Sequence, residues 1–474
     1  MLFIYTITSI VISLSILFAK KNTLTKVLSV VFIIAQISLS FIAFLRIGEV
    51  DSLYFKFDAL GILLGFVLSI LSVATFYHST LYLKRHEFSR RQEAIYYSSL
   101  VMLIASMMNA YFAENVALLW VCIEATTLFI TILIFHERTK EALEATWKYL
   151  FISSVGVAIA FIGILFLSMA ANSTGITNLS YENLLSVANQ MNTNWLKVAF
   201  ILILAGYSVK LSLFPLYAAA IDAKTIAPSP INALMSTALV NVAFVAIFRT
   251  FIIISQTSTM AWAQNILIIT GVVSIFIATI QLTRIQRLKR MYAFSSMKHV
   301  GVIAIGLAVG GLGYYAAILH LIFHSFVKAS IYYQVGAIRQ FFKTGWIKDT
   351  GNYFKLNPVG GLALILCEIS VLSIPPSGLF VSEFLTFKAI IMSGHLYIAI
   401  FLFLLLTVII YVFSKNTYHL LFAEAPVDID YDKIKTVPYE SASQFILLFL
   451  VIYLGISPPQ FFTDLIYAAT AILN

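Results

Sequence analysis

Eight ionisable side chains lie within stretches that otherwise read as hydrocarbon: Glu124, Lys148, Lys210, His299, His320, His324, Lys328 and Glu383. A charged group at mid-membrane costs about 2.5–3.5 kcal/mol on insertion scales, which makes each a functional candidate. Glu124 stands about ten residues into ENVALLWVCIEATTLFITILIF. Lys148 opens the next apolar run, in EATWKYLFISSVG, from where it can reach Glu124 across a short loop. Lys210 stands five residues before Pro215, and His299 follows SSMK. In HLIFHSFVKASIYY, His320, His324 and Lys328 fall at i, i+4 and i+8, on one helical stripe. Carboxylates, lysines and imidazoles at spacings that a water chain can bridge are the parts of proton transfer, because burial disfavours their charged forms and neighbouring charges restore them. Structural alternatives stand beside this reading. Glu124 and Lys148 could be a static ion pair, Lys148 could snorkel to the interface, and His320 could be a packing histidine. Lys388 reads as an interface residue, and Glu368 stays open between the two roles.

These residues need elements to hold them, and two of those elements are interrupted. GYSVKLSLFPLYAAAIDAKTIAPSP is broken at Phe214-Pro215, and SVLSIPPSGLFVSEFLTFKAI at Pro375-Pro376. Proline removes a backbone donor and clashes with the preceding turn. Inside a bilayer such a break survives where it is buried in protein or lines a cavity. Two interrupted spans in corresponding positions point to inverted repeats with a site at each break.

The 474-residue chain is 61% hydrophobic and 11% charged, whereas soluble domains are about 25% charged. The pattern predicts an all-α polytopic membrane protein. At about 20 apolar residues per span, fourteen spans are expected, near 2–19, 27–46, 59–83, 94–112, 115–135, 148–170, 196–222, 230–254, 263–283, 293–309, 312–338, 359–393, 396–414 and 441–466. The net charge of +9 gathers in alternate loops: Lys20, Lys21 and Lys26; Lys84 to Arg91; Arg138 and Lys140; Lys224; Arg284 to Arg290; Arg339 to Lys355; Lys415, Lys433 and Lys435. The other loops and their helix ends carry Arg46, Lys56, Lys197 and Arg249. By the positive-inside rule the first set is cytoplasmic, so both termini lie outside and nucleic acid is not the partner. The N-terminal run reads as a retained helix, since it lacks a basic n-region and a cleavage site. Cys122 and Cys367 lie in apolar runs without CxxC spacing, and no GxGxxG, Walker A or GxSxG sequence occurs. The histidines have no carboxylate cluster on their own helix, so neither a metal nor a cofactor is expected. Redox or ATP chemistry would belong to a partner. The loop AEAPVDIDYDKIKTVPYES is a docking surface or a solvated loop.

The motifs LWVCIEATTL, EATWKYLFISSVG, GYSVKLSLFPLY, DAKTIAPSPINALMS, YAFSSMKHVGVIAIGL, HLIFHSFVKASIYYQVGAIR and PPSGLFVSEF run in order over about residues 95–395. In them the chain resembles the proton-conducting antiporter-like subunits of respiratory complex I, Mrp antiporters and membrane-bound hydrogenases, and most of all the hydrogenase-4 component F type. The resemblance implies N-terminal helices over 1–93, inverted five-helix repeats over 94–254 and 263–414, and a cytoplasmic loop with a last helix over 415–474. It implies a helix 5 glutamate at Glu124 and its helix 6 partner at Lys148. Lys210 would be the lysine of broken helix 7, His299, His324 and Lys328 central-axis groups, and Glu383 the ionisable group of broken helix 12. The function implied is relay of protons at mid-membrane in a prokaryotic inner membrane, beside other membrane subunits and a peripheral redox arm, with no redox centre in this chain. Two departures stand out. Asn241 replaces the family's helix 8 lysine. PLYAAAIDAK carries Tyr217 and Lys224 where the family has histidines, while Asp222 remains. They leave two alternatives open, a non-pumping membrane anchor and a sodium/proton antiporter-type subunit.

Overall fold

A backbone surrounded by lipid must satisfy its own hydrogen bonds, and a helix does so within one segment. The computed structural model describes residues 1–424 and 438–473 and is built on this rule. In chain order the helices are α1 (Leu2–Phe18), α2 (Asn22–Leu45), α3 (Ala59–Lys84), α4 (Arg90–Phe112), α5 (Val116–Ile134), α6 (Lys140–Asn172), α7 (Tyr181–Ser186), α8 (Thr193–Leu211), α9 (Ala218–Ile226) and α10 (Ser229–Ser236). There follow α11 (Ala238–Ser255), α12 (Met260–Leu282), α13 (Leu288–Val309), α14 (Leu312–Phe342), α15 (Tyr353–Leu356), α16 (Pro358–Val371), α17 (Gly378–Met392), α18 (Leu396–Phe422), α19 (Ala442–Ile456) and α20 (Gln460–Thr470). Among the described residues, 12 helices are long and apolar enough to cross a membrane, and Leu2–Phe18 and Pro358–Val371 are shorter apolar helices. A small hairpin of Val50–Ser52 and Phe55–Lys56 is the one departure from the all-α expectation among the named elements.

Helix starts follow side-chain caps. Asp58 caps α3 through the Gly61 amide, Asn115 caps α5, and Ser89 and Gln92 form a capping box on α4. Thr139 caps α6, so this helix begins eight residues before the expected span and runs for 33 residues, about 50 Å at 1.5 Å per residue. Lys148 therefore lies two turns inside a helix.

The chain divides into two compact units, one of Met1–Ile231, Ala238–Ile266 and Phe461–Asn474, the other of Asn232–Thr237 and Leu267–Gln460. In the first, α6 packs against α8 where small residues let the backbones approach. A Cβ on Gly206 would lie 2.5 Å from the Ala160 nitrogen and 2.5 Å from the Gly156 carbonyl oxygen. In the second unit α14 is the axis, packed on α13, α16, α17 and α19. The most apolar windows of α13 and α14 are each 94% buried, against 33% for α18. Thus α13 and α14, which carry Lys298, His299, His320, His324 and Lys328, are buried along most of their length, and α18 turns an apolar face outward.

Both expected breaks occur. Helix α8 stops at Leu211, Ser212 takes a left-handed conformation at φ 59°, and α9 begins at Ala218. Helix α16 stops at Val371, Ser373 takes φ 55°, and α17 begins at Gly378. Each left-handed serine stands three residues before a proline, Pro215 or Pro376. The Phe214–Pro215 and Pro375–Pro376 bonds are cis. The expected span 441–466 is two helices, α19 and α20, parted at Ser457–Pro459. Lys433, Lys435 and most of the AEAPVDIDYDKIKTVPYES loop lie outside the described residues.

Gly206→Val is expected to destabilise the first unit, since the new side chain meets backbone atoms. Overpacking of this kind costs about 1–3 kcal/mol. A fall in the melting temperature of the detergent-solubilised chain would show it.

Candidate functional site

The first unit brings Lys210 and Glu124 together through a hydroxyl. Lys210, 1% exposed, ends α8 just before the break. Its Nζ donates to Thr127 Oγ1 at 2.7 Å and to Thr126 Oγ1 at 3.2 Å, both on α5. Thr127 Oγ1 lies 3.4 Å from Glu124 Oε2, and Ser154 on α6 donates to the other carboxylate oxygen at 3.2 Å. The Lys210 ammonium also lies 5.8 Å from the centre of the Tyr149 ring. Glu124 is half-buried.

Lys148 has a partner on its own helix. Its ammonium pairs with Glu144 one turn earlier on α6, at 2.5 Å, and both side chains are largely exposed. The earlier helix start supplies this partner. Lys224, read from sequence as a loop charge at a cytoplasmic exit, is buried on α9. Its Nζ donates to Ser212 Oγ at 2.8 Å, so it stands at the break itself. Lys289 and Arg249 are buried as well. Arg249 pairs with Asp58 at 2.9 Å and donates to the carbonyls of Ala113 and Tyr111, which makes this helix-end charge a clamp. Asn241, on α11, is fully buried.

The second unit holds a direct ion pair. Lys298 Nζ on α13 lies 3.0 Å from Glu383 Oε2 on α17, and Ser373 at the break donates to the same oxygen at 2.6 Å. Beside it His299 Nδ1 faces His320 Nε2 at 3.0 Å. His299 Nε2 meets the Val371 carbonyl at 3.1 Å, and His320 Nδ1 meets Ser382 Oγ at 2.9 Å. A carbonyl accepts and never donates, so His299 carries its proton on Nε2. The neutral ring then accepts at Nδ1, and His320 donates from Nε2. The His324 ring centre is 5.4 Å from that of His299. Lys328 Nζ donates to Ser295 Oγ at 2.6 Å and to the Tyr292 carbonyl at 3.1 Å. The Tyr292 hydroxyl in turn donates to Glu368, which is buried.

Lys298 escaped the sequence reading. The span drawn as 293–309 placed it near an end, whereas α13 begins at Leu288 and sets it ten residues inside. The signal was present in the SSMKH string, as a lysine adjoining an intramembrane histidine.

A bundle of apolar helices, with paired buried charges at two proline breaks, defines a multi-pass membrane protein built to keep ionisable groups out of lipid. Residues 113–410 match the model of the NADH:quinone oxidoreductase/Mrp antiporter transmembrane family, and the chain belongs to that family. It is 33% identical over 344 residues to the hydrogenase-4 component F homolog of Methylacidiphilum infernorum, covering 72% of each chain. It is 25% identical over 401 residues to NADH-quinone oxidoreductase subunit N of Desulfitobacterium hafniense, covering 80% of this chain and 79% of the relative. Its fold matches a chain of the Mrp complex from Dietzia sp. DQ12-45-1b with TM-score 0.86 at 16% identity, over 100% of this chain and 97% of the other.

Removing one member of the Lys298–Glu383 pair is expected to cost about 3–5 kcal/mol, because a buried charge is left alone. Lys298→Met should therefore lower the melting temperature more than the double variant Lys298→Met/Glu383→Leu. Thermal unfolding of both variants in one detergent checks the order.

Proposed function

We propose that this chain is a proton-translocating membrane subunit of a redox-driven complex of the hydrogenase-4 or NADH:quinone oxidoreductase kind. The observation that carries the reading is the Lys210–Thr127–Glu124 arrangement. A lysine that served structure alone would be satisfied by a direct carboxylate partner. Lys210 meets hydroxyls instead, with the carboxylate one hydroxyl further on.

The chemistry follows from the donors and acceptors. The Lys210 ammonium gives a proton to Thr127 Oγ1 as the threonine hydroxyl proton passes to Glu124 Oε2. A neutral amine and a carboxylic acid result, and the reverse transfer restores the ion pair. The half-buried carboxylate exchanges its proton on its outer side. In the second unit, a proton arriving at His320 Nδ1 makes an imidazolium whose Nε2 proton moves to His299 Nδ1. The Lys298–Glu383 pair lies nearby, and its charges couple to the protonation of the histidines. His324 and Lys328 continue the set along α14.

The assignment extends to organisation. Residues 94–254 and 263–414 form two inverted repeats. Their support is the matched serine–proline breaks, and a charge on α5 or α13 set against the opposite charge on the broken helix, α8 or α17. The chain sits in a prokaryotic inner membrane beside other membrane subunits and a peripheral redox arm, with its termini on the outer side. The exposed loop lysines and arginines carry that orientation, without Lys224, Lys289 and Arg249. A second reading, a membrane anchor that moves no protons, is favoured by Asn241, which cannot hold a proton charge. The burial of Lys224 beside the break supports the first reading, because an ionisable group stays at Ser212 although the histidines are lost.

In liposomes containing the purified complex, Glu124→Gln and Lys210→Ala are expected to abolish redox-coupled proton movement while assembly persists. Normal coupling in both variants overturns the proposal. Wild type that moves no protons, together with Asn241→Lys that does, establishes the anchor reading. Flux that follows sodium in place of protons assigns the antiporter-type alternative.

A further inference from the structure

We propose that His299, His320 and Glu383 form a binding site for a first-row transition-metal dication, for which zinc is the probe. The three residues come from α13, α14 and α17, each is buried, and one ligand atom from each lies within 4.8 Å of the others. The absence of a carboxylate beside the histidines on their own helix argues against a metal at the level of sequence. Packing brings the carboxylate in from another helix.

Four features of the geometry favour a metal. First, His299 Nδ1 and His320 Nε2 face each other at 3.0 Å. Two nitrogens on tetrahedral zinc, each at about 2.0–2.1 Å, lie roughly 3.3 Å apart. A metal therefore takes the place of the shared proton with an opening of a few tenths of an ångström. Second, the outer nitrogens are already anchored, His299 Nε2 on the Val371 carbonyl at 3.1 Å and His320 Nδ1 on Ser382 Oγ at 2.9 Å. Such bonds orient a ligating imidazole and leave its other nitrogen to bind. Third, the hydrogen bonds that Glu383 receives from Lys298 and Ser373 both fall on Oε2, which leaves the lone pairs of Oε1 for a ligand role. Fourth, a cavity of about 300 Å³ lies against Glu383, lined among others by Ser373, Phe384, Phe403 and Thr407. Phe384 and Phe403 are exposed, so the cavity has a route outward.

The donor set is two imidazoles and one carboxylate, with the cavity for a further ligand. This set suits zinc, copper and nickel, whereas magnesium and calcium take oxygen shells. One feature opposes binding, the Lys298 ammonium on the same carboxylate, and it supplies a distinctive test. Binding does not depend on the proposed proton transport. Its consequence does: a metal in place of the shared proton stops transfer between His320 and His299.

The full-length chain, freed of metal and held in nanodiscs, is titrated with zinc by equilibrium dialysis. One zinc per chain is expected. Affinity should fall at least about tenfold in His299→Gln, His320→Gln and Glu383→Gln, as for loss of a ligand or its support. In Lys298→Gln it should rise about tenfold, because a repelling charge is gone. X-ray absorption at the zinc edge on the wild-type chain needs no variant and should show two imidazoles. No stoichiometric binding, a shell without imidazole, or weaker binding in Lys298→Gln overturns the site. Proton flux read in the same preparation separates the two proposals. Flux lost in Lys210→Ala without zinc binding refutes this site alone, and zinc binding without flux in wild type refutes the transport reading alone.

Discussion

An ammonium group among apolar helices must find partners, and the choice of partners for Lys210 organises the first unit. The group lies at the end of α8, where the break at Ser212 stops the helix. Helix α5 offers Thr126 and Thr127 within 3.2 Å, and α6 comes near enough to set Ser154 on Glu124 because Gly156 and Gly206 let the backbones meet. Capping of α6 by Thr139, close packing on α8 and the break thus serve one requirement, to keep a lysine and a carboxylate apart by a single hydroxyl among apolar helices.

The second unit partners its buried charges differently, and with the signs exchanged. The cation is on α13 and the anion on the broken helix, in direct contact at 3.0 Å. A direct buried pair is costly to break. In the proposed relay a hydroxyl bridges Lys210 and Glu124 in the first unit, and the histidines lie beside the Lys298–Glu383 pair in the second. The histidine pair has one consistent set of donors and acceptors, because the Val371 carbonyl dictates the tautomer of His299.

Much of this is legible in the residues. Apolar length and the scarcity of charge define the membrane class, and Pro215 and Pro376 mark both breaks to within a few residues. The 3.6-residue period puts His320, His324 and Lys328 on one stripe, and α14 carries all three buried. What the pattern misplaces are charges near span ends. Lys148 reads as the opening of a span, yet the cap at Thr139 lengthens the helix and sets Glu144 one turn before it. Lys224 and Lys289 read as loop charges and Arg249 as a charge at a helix end, and each folds inward onto polar atoms or into a buried position. Hydropathy averages over a window and cannot tell a charge that faces water from one that turns in.

The sequence by itself determined the class of protein, its helical construction and the two places where helices stop, because these follow from local chemistry: apolar side chains, missing proline donors and the demand that backbone groups be satisfied in lipid. Tertiary structure alone decided which buried charge meets which. Lys298 with Glu383, Lys210 with Thr127, and His299 with His320 join residues 85, 83 and 21 positions apart. Such pairings depend on how helices rotate and approach, which is set by packing over whole faces and not by the residues next to each charge.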